Sequence, residues 1–258
     1  MKRKDLNVEK KAKTKIALIR NTNIKKVYKE FRKKILNNIG RENFAIAVSG
    51  GPDSLCLSYV SKIYKREFKN QIHTLIVDHK LRKESSSEAQ RVRKMLRKRG
   101  IQSKILTWTG KKPKKNIQFN AREIRYNLMS SYCLKYKINH LVTAHHQDDQ
   151  IENFFIRLFR GSGLTGLSSM AGNSNYNENL KIIRPFLNID KKTLQAVAKY
   201  SFRDYIKDPS NENEKFLRVR IRKYRKQMEK EGLDSSKILK TLNNLGFITQ
   251  LFLDKKFT

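Results

Sequence analysis

The chain has 258 residues, enough for one large domain or a domain with an appendage, and it carries 58 Lys and Arg against 23 Asp and Glu, a net charge of +35. That excess points to a polyanionic partner, nucleic acid first, because each cation brought to a phosphate releases condensed counterions. A transmembrane helix is excluded, since no apolar run reaches about 18 residues, and a disulfide or zinc framework is excluded by having only Cys56 and Cys133, both in apolar surroundings.

Residues 1–41 hold 15 Lys and Arg against Asp5, Glu9 and Glu30, and the first 21 read as a solvated basic arm. Cysteine usage makes the cytoplasm the expected compartment. An organellar matrix or stroma is the alternative, but transit peptides favour Arg and Ser and avoid acids, whereas this leader is Lys-rich. No membrane partner is expected, because no clean basic amphipathic helix with an aromatic face occurs. Ile24, Val27, Tyr28, Phe31, Ile35 and Ile39 recur at helical spacing and predict an amphipathic helix over 22–39.

Strands are then expected at 44–48, 72–77, 102–107 and 140–144, alternating with helices at 53–66, 85–99, 118–137 and 148–159. Such alternation predicts an α/β, Rossmann-like parallel sheet with helices on both faces, in which ligands bind at the carboxyl ends of the strands. The Asn-rich segment 173–179 reads as a mobile loop, 191–200 as a helix and 207–213 as a polar turn. The tail over 215–240, with ten Lys and Arg against three acids, reads as basic and helical. The expected division is an arm at 1–21, a catalytic domain at 22–212 and a helical appendage at 213–258.

The stretch Ser49-Gly50-Gly51-Pro52-Asp53-Ser54 follows the first strand and opens a helix. Two glycines permit a sharp turn, and a helix N-terminus offers free amides and a positive dipole to an anion. Ser49 and Ser54 are candidate hydroxyl donors, and Pro52 suits the first helical turn. The Walker lysine and the G-x-G-x-x-G spacing are both missing. A carboxylate at Asp53 would repel phosphate unless Mg²⁺ bridged the two, so Asp53 is the candidate metal ligand.

This loop resembles the pyrophosphate loop of the N-type ATP pyrophosphatases, which cleave ATP between the α and β phosphates and adenylate a substrate. Ala144-His145-His146-Gln147-Asp148-Asp149-Gln150-Ile151-Glu152-Asn153 and Arg160-Gly161-Ser162-Gly163-Leu164-Thr165-Gly166-Leu167 resemble signatures of the tRNA(Ile)-lysidine synthetase family within that superfamily. Val77-Asp78-His79, Ala121-Arg122-Glu123-Ile124-Arg125-Tyr126, Arg184-Pro185 and Asp208-Pro209-Ser210-Asn211 fall in the family's order, over residues 25–225. The resemblance implies an ATP- and Mg²⁺-dependent ligase. It would join L-lysine to the wobble cytidine of tRNA(Ile) with a CAU anticodon, through an adenylated cytidine. A thiolase of the same superfamily and a non-catalytic RNA-binding protein are the alternatives.

On this basis Ser49, Gly50, Gly51, Pro52, Asp53, Ser54, Asp78 and His79 are expected at ATP. Arg122 and Arg125, three apart and so on one helix face, are expected to clamp phosphate. His145 and Asp149 are placed at lysine or cytidine with Asp148 and Glu152; Asp148 is also open to a supporting, metal-side or N-cap role. If the helix starts early, His145/Asp149 and Asp148/Glu152 are i, i+4 pairs. Arg157, Arg160, Arg218, Arg220 and Arg222 are expected at RNA, the last three spread over a helix surface. Trp108 is expected to pack. The family's Asn between two arginines is Val219 here, and its Thr is Asn153. Longer members carry C-terminal domains that grip the tRNA body, a grip the basic arm and tail are expected to share. A homodimer is one of the oligomeric states left open.

Overall fold

Strand β1 (Phe44–Ala47) sets the architecture because both of its faces are apolar, as a central parallel strand requires. Phe44 and Ile46 point into one core and Ala45 into a second. The same alternation runs through β2 (Ile72–Asp78), β4 (His140–Val142) and β6 (Leu180–Ile183). Ile76, Val142 and Ile183 lie on the first side, and Leu75, Leu141 and Ile182 on the other. Every one of these side chains is nearly inaccessible to water, so each core layer is sealed by helices.

The computed structural model describes residues 19–111, 117–168, 170–206 and 213–254. Most of the basic arm and most of the expected polar turn at 207–213, including Asp208, Pro209, Ser210 and Asn211, lie outside the described residues. Helices α1 (Thr22–Asn38), α2 (Pro52–Phe68), α3 (Ser85–Lys98) and α7 (Lys191–Phe202) cover the first side of the sheet. Helix α4 (Ile117–Lys135) covers the other with Tyr126, Met129 and Cys133. The start of α1 has a clear local cause: the Asn21 side chain accepts a hydrogen bond from the Ile24 amide at 3.0 Å.

With β3 (Lys104–Thr107) and β5 (Asn173–Asn177), the sheet order is β3-β2-β1-β4-β6-β5, parallel except for the antiparallel β5 edge. The chain winds outward from β1 to β2 and β3, then crosses back to β4, so the crevice between the carboxyl ends of β1 and β4 is the switch point where such sheets bind ligands. The remaining helices are α5 (Gln147–Leu158), the single turn α6 (Leu164–Leu167), α8 (Leu217–Lys230) and α9 (Ser235–Asp254).

Two expectations are corrected. Residues 173–177 are not a loop but strand β5, hairpin-paired with β6, a strand absent from the expected set. The segment lacks the apolar alternation that announces a strand; its polar side chains are instead held by partners. Asn173 donates to Asn38, Asn177 to Ser130 and the Tyr176 hydroxyl to Asn127, while Tyr176 stacks on Tyr126 with ring centroids 5.3 Å apart. Second, β4 ends at Val142 and α5 begins at Gln147 with His146 as its N-cap, so His145 is not on the helix and forms no i, i+4 pair with Asp149.

Candidate active site

The loop after β1 is shaped from within. The Ser54 hydroxyl accepts from the amides of Ser49 and Gly50, each at 3.1 Å, and donates to the Gly51 carbonyl at 3.0 Å. Its single proton is thus committed, which corrects the expectation that Ser54 donates to phosphate; it folds the loop instead. Gly51 caps α2 in an extended conformation and Pro52 occupies the first turn, where its missing N–H leaves no bond unmade.

Gly50 must be glycine for two reasons. Its φ is +88°, and a Cβ there would sit 2.3 Å from Val92 Cγ2 and 3.0 Å from Ile206 Cγ1. A Gly50→Ala variant is expected to lose about 2 kcal/mol of stability through overpacking and backbone strain. A thermal melt checks this, with unchanged midpoint as the opposing result.

The loop, the ends of β2 and β4 and the inner face of α4 enclose a cavity of about 270 Å³. Its wall brings together Ser49, Gly51, Asp53, Ser54, His79, Arg122, Arg125, His145 and Asp149 from segments that lie up to 100 residues apart. Arg122 lies over the Tyr126 ring, 4.8 Å from its centroid, and the stacking fixes the guanidinium against the wall. Asp78 is placed differently from expectation. It is buried, accepts from the Lys80 amide at 3.1 Å and from the Ser86 hydroxyl at 2.6 Å, and is absent from the cavity wall, so it ties the end of β2 to α3. His79, beside it, accepts from the Leu81 amide through Nδ1 and lines the cavity.

Across the crevice from the loop stands a cluster built on His146, the residue the sequence passed over in favour of its neighbour. His146 is 3% exposed, and its Nε2 lies 3.5 Å from both Asp53 Oδ2 and Asp149 Oδ2. Burial alone pushes this imidazole down, but the Asp53 carboxylate and the charges of Asp149 and Asp148 outweigh it and hold the pKa above the ordinary value. His146 therefore joins the phosphate loop to the start of α5. Burial likewise pushes the Asp149 carboxyl up; His146, His145 and Arg218 outweigh that and hold it below the usual range. Its Oδ2 accepts from the His146 amide at 3.0 Å.

His145 is shifted the opposite way. Burial, opposed by Asp149 but aided by Arg184, Arg122 and Arg218, lowers its pKa to about 4, so the ring is neutral near pH 7. Its Nδ1 lies 2.8 Å from the Thr143 hydroxyl and it lines the cavity.

The arginines expected at RNA separate into distinct settings. Arg218 and Arg222 do not spread outward. Arg222 grips the 2%-exposed Glu152 through Nε at 2.5 Å and Nη2 at 3.0 Å, and Arg218 Nε approaches the same carboxylate at 3.0 Å. Arg225, which the sequence did not single out, pairs with Asp148 at 2.5 Å. Asp148 also accepts from the Lys191 amide, so it supports α7 as well and is not the N-cap. Glu152 and Asp148 are thus consumed by a charged seam between α5 and α8, which corrects their expected direct contact with lysine or cytidine. Arg220 turns away and donates to the carbonyls of Glu214 and Lys215. Arg157 donates to the Gly166 carbonyl, closing the glycine-rich turn, and Arg160 is exposed. Trp108 packs over Gly110.

A parallel sheet whose first strand feeds a two-glycine loop and a helix N-terminus, with an acidic loop residue and no lysine, defines a nucleotide-binding α/β domain distinct from the Walker type. The chain belongs to the PP-loop domain family, whose pattern matches residues 20–227. It is similar to the tRNA(Ile)-lysidine synthase of Orientia tsutsugamushi (strain Boryong), 45% identical over 184 residues, covering 71% of this chain and 41% of that protein. The enzyme of the same name from Bradyrhizobium diazoefficiens is 36% identical over 203 residues, 78% of this chain and 56% of that one. The chain thus spans between about two fifths and just over half of these relatives. In fold it resembles the U34-tRNA thiolase NcsA of Methanococcus maripaludis, solved with its [4Fe-4S] cluster, with a TM-score of 0.73 at 19% identity over 86% of this chain and 79% of that one.

Proposed function

We propose that the chain carries the catalytic domain of a tRNA(Ile)-lysidine synthetase, which adenylates the wobble cytidine of a CAU-anticodon tRNA with ATP and replaces AMP by L-lysine. One observation supports this above the others. Asp53 Oδ1 is buried without a hydrogen-bond partner, at the mouth of a loop suited to phosphate and facing the His145–Asp149 segment.

An orphaned hard oxygen beside such a loop suits Mg²⁺, which binds through one or two carboxylates plus phosphates and waters. Asp53 is the protein ligand assigned to the ion, on its unpartnered Oδ1. When bound, Mg²⁺ neutralises phosphate charge in the nucleotide. Gly51 and the first turn of α2 meet the β and γ phosphates, which leave as pyrophosphate. Arg122 and Arg125 meet the charge that grows on the α-phosphate as the cytidine C2 oxygen attacks. Asp149, ionised, holds the lysine ammonium beside the reacting carbon; its proton passes to water, and the free amine attacks C2 and releases AMP, with the neutral His145 lining the same wall.

The test is incubation with labelled lysine, ATP, Mg²⁺ and a CAU-anticodon tRNA transcript. Label entering RNA in step with AMP release supports the assignment, and bound RNA without label overturns it.

The thiolase alternative needs a reactive thiolate. Burial pushes the Cys56 thiol well above its ordinary value, with Asp53 adding to the effect, and pushes Cys133 up to about 12. A double Cys56→Ser, Cys133→Ser variant is expected to keep lysine incorporation within about threefold of wild type, apart from a modest loss of stability from two buried hydroxyls. Loss of incorporation in a protein that still melts cooperatively would reopen the thiol chemistry. RNA affinity is assigned to the excess of cations, and the compartment to the cytoplasm. No helix among the described residues is long and apolar enough to cross a membrane.

A further inference from the structure

At the opposite end of the sheet, away from the phosphate loop, lies a second and larger cavity of about 510 Å³. It exists because β3 starts late. Lys104 pairs with Leu75, so Ile72, His73 and Thr74 of β2 have no strand neighbour on that side, and the gap opens between α2 and the end of α4.

The wall has a one-sided chemistry. Lys62, Lys65 and Lys104 line it together with His73, and among the described residues no carboxylate does. Arg66 and Arg99 stand close to Lys62, whose Nζ donates to the Arg99 carbonyl; burial first and then those two charges lower its pKa. Ser61 lines the cavity at 2% exposure, and its Oγ has no hydrogen-bond partner; the Oγ of Ser103, also in the wall, has none either. A native fold rarely leaves a buried hydroxyl unmatched, so two in one cationic cavity point to an acceptor-rich ligand.

The rest of the wall is aromatic. Tyr132 and Tyr136 lie with ring centroids 4.4 Å apart, and His73 Nδ1 is 3.0 Å from the Tyr132 hydroxyl, which holds that ring in place. Tyr136 keeps half of its surface exposed. With Tyr132 and His73 against it and Lys135 Nζ 6.0 Å from its centroid, this half-exposed ring is held in place and leaves surface for stacking, which is tolerant of base identity.

We propose that this cavity is a second nucleotide site, separate from the ATP crevice, in which the lysines and the two free hydroxyls take a phosphate and Tyr136 stacks the base. The shared ligand chemistry is a phosphorylated nucleoside, either a free mononucleotide or the 5′-phosphorylated end of an RNA. A lysine–phosphate contact reinforced by buried hydroxyls discriminates by about tenfold or more, as does loss of one stacked base.

The test is equilibrium dialysis of uridine 5′-monophosphate against the full chain, with a non-hydrolysable ATP analogue in excess to occupy the crevice. One equivalent is expected to bind, about tenfold more weakly in Lys104→Gln and in Tyr136→Ala, with ATP-analogue binding unchanged in both. Both positions are exposed, so neither variant endangers the fold. A 5′-phosphorylated oligouridylate weakened by the same two variants, where the monophosphate does not bind, assigns the site to an RNA end. No uptake of either probe overturns the proposal. So does uptake unaffected by both variants, or inorganic phosphate competing as well as the nucleotide with no effect of Tyr136→Ala.

Discussion

Asp53→Asn is expected to lower the rate of pyrophosphate release from ATP in the presence of CAU-anticodon tRNA by about a hundred- to a thousandfold, the usual cost of removing one preorganised charge contact to a reacting phosphate. The substitution keeps volume and planarity, but it removes the charge that faces the buried His146, so the melting midpoint should fall by a few degrees while unfolding stays cooperative. The same change has a second readout. Asp53 is the leading partner that raises the His146 pKa against burial, so in the variant the imidazole pKa followed by NMR should fall. The Mg²⁺ dependence of ATP binding should flatten with it. Full activity with an unshifted His146 would show that the carboxylate has neither role.

The parts of this site that could be read from the chain are those where one residue type at one spacing admits few conformations. The pair Gly50-Gly51 after an apolar strand, with Pro52 behind it, fits a turn into a helix and little else. The turn into the helix was therefore legible, though the inward role of Ser54 was not. The choice between His145 and His146 was not. Both follow the same strand, and what separates them is whether the helix begins one residue earlier or later, a matter of end geometry on which sequence is weakest. The outcome reverses the electrostatics: the pKa of one ring is pushed down to about 4, and that of the other is held above the ordinary value by three carboxylates. Strand β5 was hidden for a different reason. Its asparagines are satisfied by side chains on α1 and α4, residues remote in sequence, so no local pattern marks them. The arginines of α8 were misjudged in direction, because their partners lie on α5, some 70 residues earlier.

Those arginines carry the largest expected effect on stability. Helix α8 has one buried apolar residue, Ile221, so its attachment to α5 depends on Arg218, Arg222 and Arg225 meeting Glu152, Asp149 and Asp148. Breaking a buried pair by removing one member costs about 3–5 kcal/mol because the remaining charge is stranded. Glu152 is 2% exposed, and in Arg222→Ala Arg218 is, among the described residues, the one cation left to face it, so a loss near the lower end, about 3 kcal/mol, is expected. At about 2–4 °C per kcal/mol for a chain of this size, the melting midpoint should fall by about 6–12 °C. The discriminating variant is the double substitution Glu152→Leu, Arg222→Met, which removes both charges and leaves apolar groups of similar reach. If the seam is a structural clamp, the double variant should melt above Arg222→Ala despite carrying one more change, since no buried charge is orphaned. If Glu152 instead acts directly on lysine or cytidine, the double variant would regain stability and yet show no lysine incorporation. The clamp predicts the reverse coupling, with incorporation recovering alongside the melting midpoint, because the seam's contribution to the site is then to hold the first turn of α5, and with it His146 and Asp149, against the phosphate loop.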